Sequence, residues 1–265
     1  RDFCLSRGLG DVYKRQEIAD LSLEERVSIM RREDFKKKLL NEHGFSSNGL
    51  VKSILRNIDN IYILDKIPDY EPHKETSLGS KAKKLNREIN DYIYDILLEE
   101  DGNSLLYYPI GNYLDHSLEA SLEMISSDHT LLGLGDGGAH CATICDASFT
   151  THMLTFWGRD RTRGKKLDLP WIIKSYTRDN ALAIGLEDRG LIKEGMKADI
   201  NIIDFDNLTL YSPEIRYDLP AEGKRLVQRV DGYKYTIVSG KVTYKDGVST
   251  GELPGRLIRL SLIHI

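Results

Sequence analysis

The chain has 265 residues, 40% hydrophobic and 29% charged, with a formal net charge of -4 and a pI near 6.0. That length can bury a sizeable core as one large domain or two smaller ones. The mildly acidic balance, without a basic-aromatic stripe, argues against a nucleic-acid partner. No apolar run reaches the roughly 18 residues a membrane span needs. Cys4, Cys141 and Cys145 suit neither a disulfide framework nor a CxxC metal site, which points to a reducing, cytoplasmic setting.

Residues 1–16 carry no helical or strand period and 260–265 form an apolar tail without a turn before it. Both stretches read as appended, non-native sequence, the alternative being frayed natural termini. From Glu17 the pattern is helical: Ile18, Leu21, Leu23, Val27, Ile29 and Met30 recur at three- and four-residue steps, and Ser22 with Glu25 has the spacing of a capping box. A second helix is predicted over 34–42, closed by His43-Gly44. Ile61-Tyr62-Ile63-Leu64 reads as a short buried strand and 65–76, with Pro68 and Pro72, as a loop. A long helix is predicted over 81–100 with the stripe Leu85, Ile89, Ile93, Ile96 and Leu97.

Leu105 to Ile110 forms the next predicted strand, and Ser117 caps a helix running to Ile125. The apolar run from Leu131 reads as a buried strand ending in Gly135-Asp136-Gly137-Gly138-Ala139-His140. Strand, helix, strand, helix, strand is the rhythm of a parallel α/β sheet. In such sheets the carboxyl ends of strands face the ligand crevice. Asp136 is therefore placed for chemistry, with glycines that let backbone turn and ligand approach; a solvent-exposed Asp-Gly turn is the competing explanation. Two helices follow the polar-aromatic stretch 148–161, the first with Pro170 early and Leu169, Ile172 and Ile173 buried, the second capped by Thr177 and ending at Gly185. From Gly190 a small antiparallel unit is predicted, with a strand over 198–204, a hairpin of 235–238 and 241–244 around Ser239-Gly240, and a turn at Lys245-Asp246-Gly247. The domain plan is 17–189 followed by 190–259.

Gly190-Leu191-Ile192-Lys193-Glu194-Gly195-Met196-Lys197-Ala198-Asp199-Ile200-Asn201-Ile202-Ile203-Asp204 resembles the segment with which metal-dependent amidohydrolases enter their C-terminal β-sandwich. Thr177-Arg178-Asp179-Asn180-Ala181 through Leu186 is similar to the stretch that precedes it there. The Gly135–His140 run, Thr151-His152-Met153-Leu154, Trp157-Gly158-Arg159-Asp160 and 250–259 resemble the N-acyl-D-amino-acid deacylase branch more narrowly. The resemblance implies an α/β fold, the C-terminal part of a (β/α)8 barrel plus a β-sandwich portion. It also implies zinc-dependent hydrolysis of the amide of a small-molecule N-acyl amino acid. A hydantoinase- or dihydroorotase-like enzyme is the competing hydrolase, and a non-catalytic binding or assembly module the competing class.

Such enzymes carry an H-x-H pair and two later histidine ligands. No H-x-H occurs here, and His43, His73, His116, His129, His140 and His152 do not match those positions. Zinc ligands are thus expected mostly outside this chain, and the chain alone is expected to be inactive. By resemblance Asp136 is the general base and a possible weak metal ligand. His140 could orient Asp136 or bond substrate, or be a structural loop histidine. His152 and Arg159 are candidates for the substrate carboxylate, since a guanidinium presents a planar fork to such groups. Asn112 and Tyr113 could line the same rim, or simply make a turn. Arg161 and Arg163 read as solvated surface, and Cys141 and Cys145 as small buried residues. The oligomeric state is not encoded in any feature of the sequence.

Overall fold

A computed structural model of the chain describes residues 17–18, 20–41, 56–109, 111–113, 115–133 and 147–258. The chain divides into two compact units, 1–118 and 119–265. Among the described residues no helix is long and apolar enough to cross a membrane.

In the first unit, helix α1 (Leu23–Met30) begins at the capping box read from the sequence. Ser22 Oγ accepts the Glu25 N–H, and the Glu25 carboxylate accepts the Ser22 N–H at 2.9 Å. Helix α2 (Glu33–Leu40) follows and buries Phe35; the His43-Gly44 closure lies outside the described residues. Strand β1 (Tyr62–Leu64) matches its predicted place, and β2 (Leu105–Tyr107) is the core of the strand expected to run to Ile110.

Between them the single long helix of the sequence prediction is two: α3 (Leu78–Lys84), capped by Ser77, and α4 (Ile89–Leu97), capped by Glu88. The break has a local cause. Asn86 takes a left-handed conformation (φ 51°), and the Arg87 N–H reaches back to the Ala82 carbonyl at 2.9 Å, closing α3 as a Schellman-type end. Leu85, expected in the buried stripe, sits in this break and is exposed, whereas Ile93 and Ile96 are buried with Ile61 and Leu78 in the core.

The parallel pairing expected of the β-α-β rhythm is also corrected. β1 and β2 pair antiparallel, Tyr62 opposite Tyr107 and Leu64 opposite Leu105. One crossover helix returns the chain to the start of the strand it left. Here the connection holds two helices with a break between them, and β2 begins beside the end of β1.

In the second unit, α5 (Glu119–Ile125) buries Leu122. The predicted buried strand from Leu131 is not a strand over Leu131, Leu132 and Gly133. Leu131 is exposed, and the Leu132 carbonyl accepts from the Asn180 side-chain amide at 2.7 Å instead of from a neighbouring strand. The remainder of that expected strand lies outside the described residues.

Helix α6 (Phe149–His152) continues without a break into a π-helical segment, Met153–Asp160. Helix α7 (Leu169–Lys174), capped by Asp168 with Pro170 in its first turn, runs on through a second π segment, Ser175–Asp179, into α8 (Asn180–Ala183). The two helices expected here are therefore one continuous element. Thr177 does not cap a helix; its hydroxyl donates to the Ile173 carbonyl four residues back at 2.6 Å. Ile172 is buried, but Ile173 is exposed.

The antiparallel C-terminal unit is present. β3 (Ile200–Ile203), β6 (Tyr233–Val238), β7 (Lys241–Lys245) and β8 (Val248–Ser249) form a sheet in the order β3-β6-β7-β8. The β6–β7 turn at Ser239-Gly240 and the β7–β8 turn at Asp246-Gly247 have both central residues left-handed, the twist a tight hairpin requires. Between β3 and β6 lies a ribbon absent from the sequence prediction: β4 (Thr209–Leu219) and β5 (Gly223–Asp231), paired antiparallel. The chain is thus a mixed α/β protein with helices and antiparallel sheets.

Candidate functional site

Asp136 and His140, the centre of the sequence-based site, lie outside the described residues, as do Cys141 and Cys145. The other four candidates fall in the described parts of the two units. Asn112 and Tyr113 belong to the first, His152 and Arg159 to the second.

Asn112 is exposed in a left-handed conformation (φ 59°), as a loop Asn tolerates. Tyr113 is buried, and its hydroxyl donates to the Pro72 carbonyl. Its ring meets the imidazole of His116 edge-on, with centroids 6.1 Å apart, and His116 Nδ1 lies 2.9 Å from the hydroxyl of the buried Tyr62. Tyr70 packs edge-on against Tyr107 at 5.4 Å, and burial pushes the Tyr107 phenol well above its ordinary pKa. The buried Glu71 carboxylate accepts the Leu118 N–H at 2.8 Å. Sequence reasoning named His116 only as a residue that matched no ligand position. The signal available was the recurrence of tyrosines at 62, 70, 107, 108 and 113, in two predicted strands and the loops that follow them.

On the second unit, α6 is fixed at its start by two side-chain contacts. Ser148 Oγ bonds the Gln228 side chain of β5, and Thr151 Oγ1 lies 2.9 Å from the Tyr233 hydroxyl of β6. This orients His152, whose ring stacks on Phe156 at 4.9 Å with planes 8° apart. Burial lowers the His152 pKa to about 4, so the imidazole is neutral at neutral pH.

Arg159 projects from the π segment onto the turn after β3. Its guanidinium donates to the carbonyls of Phe205, Asp206 (3.2 Å) and Leu208 (2.7 Å), pairs with Asp160 at 2.7 Å, and lies over the Phe205 ring. The carboxylate of Asp160 raises its pKa further. Two residues on, Arg161 is a correction to the solvated surface arginine expected. It is 1% exposed, donates to the Lys165 carbonyl and to Glu119 Oε1 at 2.8 Å each, and lies 4.7 Å from the Trp157 ring centroid. Gly164 makes room for this arrangement, since a Cβ there would stand 3.0 Å from the Arg161 guanidinium nitrogens and 2.0 Å from Glu119 Oε1.

Among the described residues no group of three or more His, Cys, Asp or Glu side chains could hold a metal ion. Chemically, the first unit offers a phenol-imidazole pair, and the second, by itself, a neutral imidazole and a guanidinium engaged by backbone carbonyls. The sequence model described as the amidohydrolase family matches residues 102–244, more than half of the 265 residues. No curated protein and no solved structure matches the chain.

Proposed function

The chain belongs to the amidohydrolase family, and from that premise we propose that it serves hydrolysis of the amide bond of N-acyl-D-amino acids. Family membership indicates a hydrolase; the substrate class is our inference. One observation carries it: the matched stretch 102–244 contains the Gly135–His140 run and the 151–160 pieces of the narrower resemblance together with the Gly190–Asp204 segment of the broader one, while 250–259 lies beyond it.

In this proposal Asp136 accepts the proton of the attacking water and returns it to the departing amine nitrogen, work that needs a short, fixed carboxylate. His140 orients that carboxylate. His152, held neutral by burial, is suited to bond an uncharged part of the substrate. Arg159 is assigned to holding the Phe205–Leu208 turn, because its donors already face three carbonyls and a carboxylate. The family is generally metal-dependent, and zinc is the ion the deacylase resemblance implies. The described residues do not fit such an ion. The implied β-sandwich portion finds support in the antiparallel β3-β6-β7-β8 sheet; the implied barrel portion finds none in the antiparallel β1–β2 pair.

Substrate class is tested by titrating the purified chain with N-acetyl-D-amino acids, their L-enantiomers, a substituted hydantoin and dihydroorotate, read by calorimetry. Selective binding of the D-series supports the proposal. Preference for a cyclic ureide assigns the chain to the competing hydrolases, and no response to any of them overturns the substrate assignment. Metal analysis of the same sample is expected to find no stoichiometric zinc. About one equivalent retained together with deacylase activity would refute the expectation that this chain lacks the zinc ligand set.

A further inference from the structure

After β8 the chain bends at Gly251 (φ 83°) and stays tied to β7. Thr250 Oγ1 donates to the Val242 and Thr243 carbonyls at 2.7 and 3.1 Å, and Glu252 pairs with Lys241 at 3.2 Å. Residues 252–254 and Arg256 then border a groove of about 480 Å³ whose other wall is Lys197, Ser239 and Lys241. None of these residues belongs to the set assigned to amide chemistry.

The charges of the groove are unevenly spent. Lys197 is held by Asp199 and Lys241 by Glu252. Among the described residues Arg256 has no hydrogen-bond or ion-pair partner, and neither does the Ser239 hydroxyl, although the Ser239 N–H is taken by Asp199 at 2.8 Å. The lining holds three cations and one carboxylate, and Asp199, which pairs with Lys197, also lies 4.0 Å from Arg189, so the groove is net positive on a chain whose formal total is -4. The same groove has an apolar side in Pro254 and Leu253, and Leu253 is 93% exposed, with its side chain covered by nothing in the fold.

We propose that this groove binds a small amphipathic monocarboxylate. The Arg256 guanidinium offers a planar fork matched to a carboxylate, and the Ser239 hydroxyl offers a further donor in the same groove. Leu253 and Pro254 cover the ligand's apolar tail, which removes from water a leucine that the fold leaves fully wetted. With Lys197 and Lys241 each already paired and Glu252 in the wall, Arg256 is the lining cation left to a ligand, which favours a monoanion over a dianion such as phosphate. The site is independent of the deacylase proposal and stands or falls by its own titration.

The test is calorimetric titration of the full chain with hexanoate, hexanamide and inorganic phosphate, repeated on Arg256→Gln and Ser239→Ala. Both side chains are exposed, so both variants are expected to keep the wild-type circular dichroism and thermal midpoint. Hexanoate is expected to saturate the wild-type chain, with binding weakened about tenfold or more in Arg256→Gln, the loss of a charge-assisted hydrogen bond, and less in Ser239→Ala. Absence of saturation, equal binding by Arg256→Gln, hexanamide matching hexanoate, or phosphate binding more tightly than hexanoate would each overturn the proposal.

Discussion

Replacing Arg161 by methionine isolates the strongest polar commitment in the second unit. The substitution keeps an unbranched, buried side chain of similar reach but removes the hydrogen bonds to the Lys165 carbonyl and Glu119, and the stacking on Trp157. A hydrogen bond to a charged group contributes about 1.5–3 kcal/mol, and a desolvated cation-π contact up to about 2 kcal/mol. Two effects oppose these. The Glu119 side chain is 57% exposed, so its freed carboxylate is rehydrated and its bond counts at the low end. Methionine also escapes the cost of keeping a guanidinium out of water. The balance is a destabilisation of about 2–3 kcal/mol, with Glu119→Gln, which keeps an acceptor but removes a charge, near 1 kcal/mol. Urea unfolding followed by tryptophan fluorescence reports it, since Trp157 is itself part of the stack. A methionine variant as stable as the wild type, or more so, would mean that desolvation of the guanidinium outweighs all three contacts.

Burial holds the folded His152 pKa at about 4, below its ordinary value of 6.5. The unfolded chain therefore binds the extra proton between those values, and the His152 contribution is full above pH 6.5 and lost as pH falls toward 4. Part of the residue's surface remains accessible, so the contribution is at most about 3 kcal/mol. As pH falls through that window the wild-type denaturant midpoint should drop relative to that of His152→Phe, and parallel curves would contradict it. In the first unit, hydrogen bonds from Lys36 and then Arg87 hold the Asp91 carboxyl below the usual carboxylate range. Its stabilisation is present above that range and disappears as pH falls through the folded value. Asp91→Asn should cost about 1 kcal/mol at neutral pH and nothing in strong acid, with a constant difference refuting it. Gly232 has φ 113°, and a Cβ there would stand 2.7 Å from Leu208 Cα. Gly232→Ala should lower stability by about 2–3 kcal/mol in a thermal melt, whereas an unchanged midpoint would show that the β5–β6 junction yields freely.

Local signals in the sequence survived into the fold where they name their own partners. The Ser22–Glu25 capping box, the proline early in α7 and the Ser239-Gly240 hairpin each depend on residues within a few positions, and each is found as predicted. The single helix over 81–100 failed for an equally local reason that the apolar stripe concealed. Asn86 tolerates the left-handed conformation better than most residues, and Glu88 is an adequate cap, so the chain can stop and restart a helix there. That break in turn governs the antiparallel β1–β2 pairing, which periodicity could not reveal. The β4–β5 ribbon has a signal in the sequence. Pro213, Ile215, Tyr217 and Leu219 alternate with Glu214, Arg216 and Asp218, the period of a strand with one charged face, and Arg225 closes that face with two 2.7 Å bonds to Asp218.

The arginines of the 157–161 stretch show why the site itself was harder to read. Arg159 and Arg161 flank an aspartate, and sequence alone assigns the first to a substrate carboxylate and the second to solvent. What separates their fates is distant in the chain: the carbonyls of 205–208 for one, Glu119 and Trp157 for the other. The π winding adds a second difficulty. The Arg161 N–H bonds the Phe156 carbonyl at 2.8 Å, five residues back, so side chains after Met153 no longer repeat on the faces an α-helical count assigns them. Widened turns of this kind cost hydrogen-bond geometry and persist where their side chains repay it. Here the repayment is visible, because the segment that carries His152 at its start is tied to β5 and β6 by Ser148 and Thr151 and to the turn after β3 by Arg159. The imidazole is thereby held by the antiparallel unit through contacts that no single-residue motif encodes.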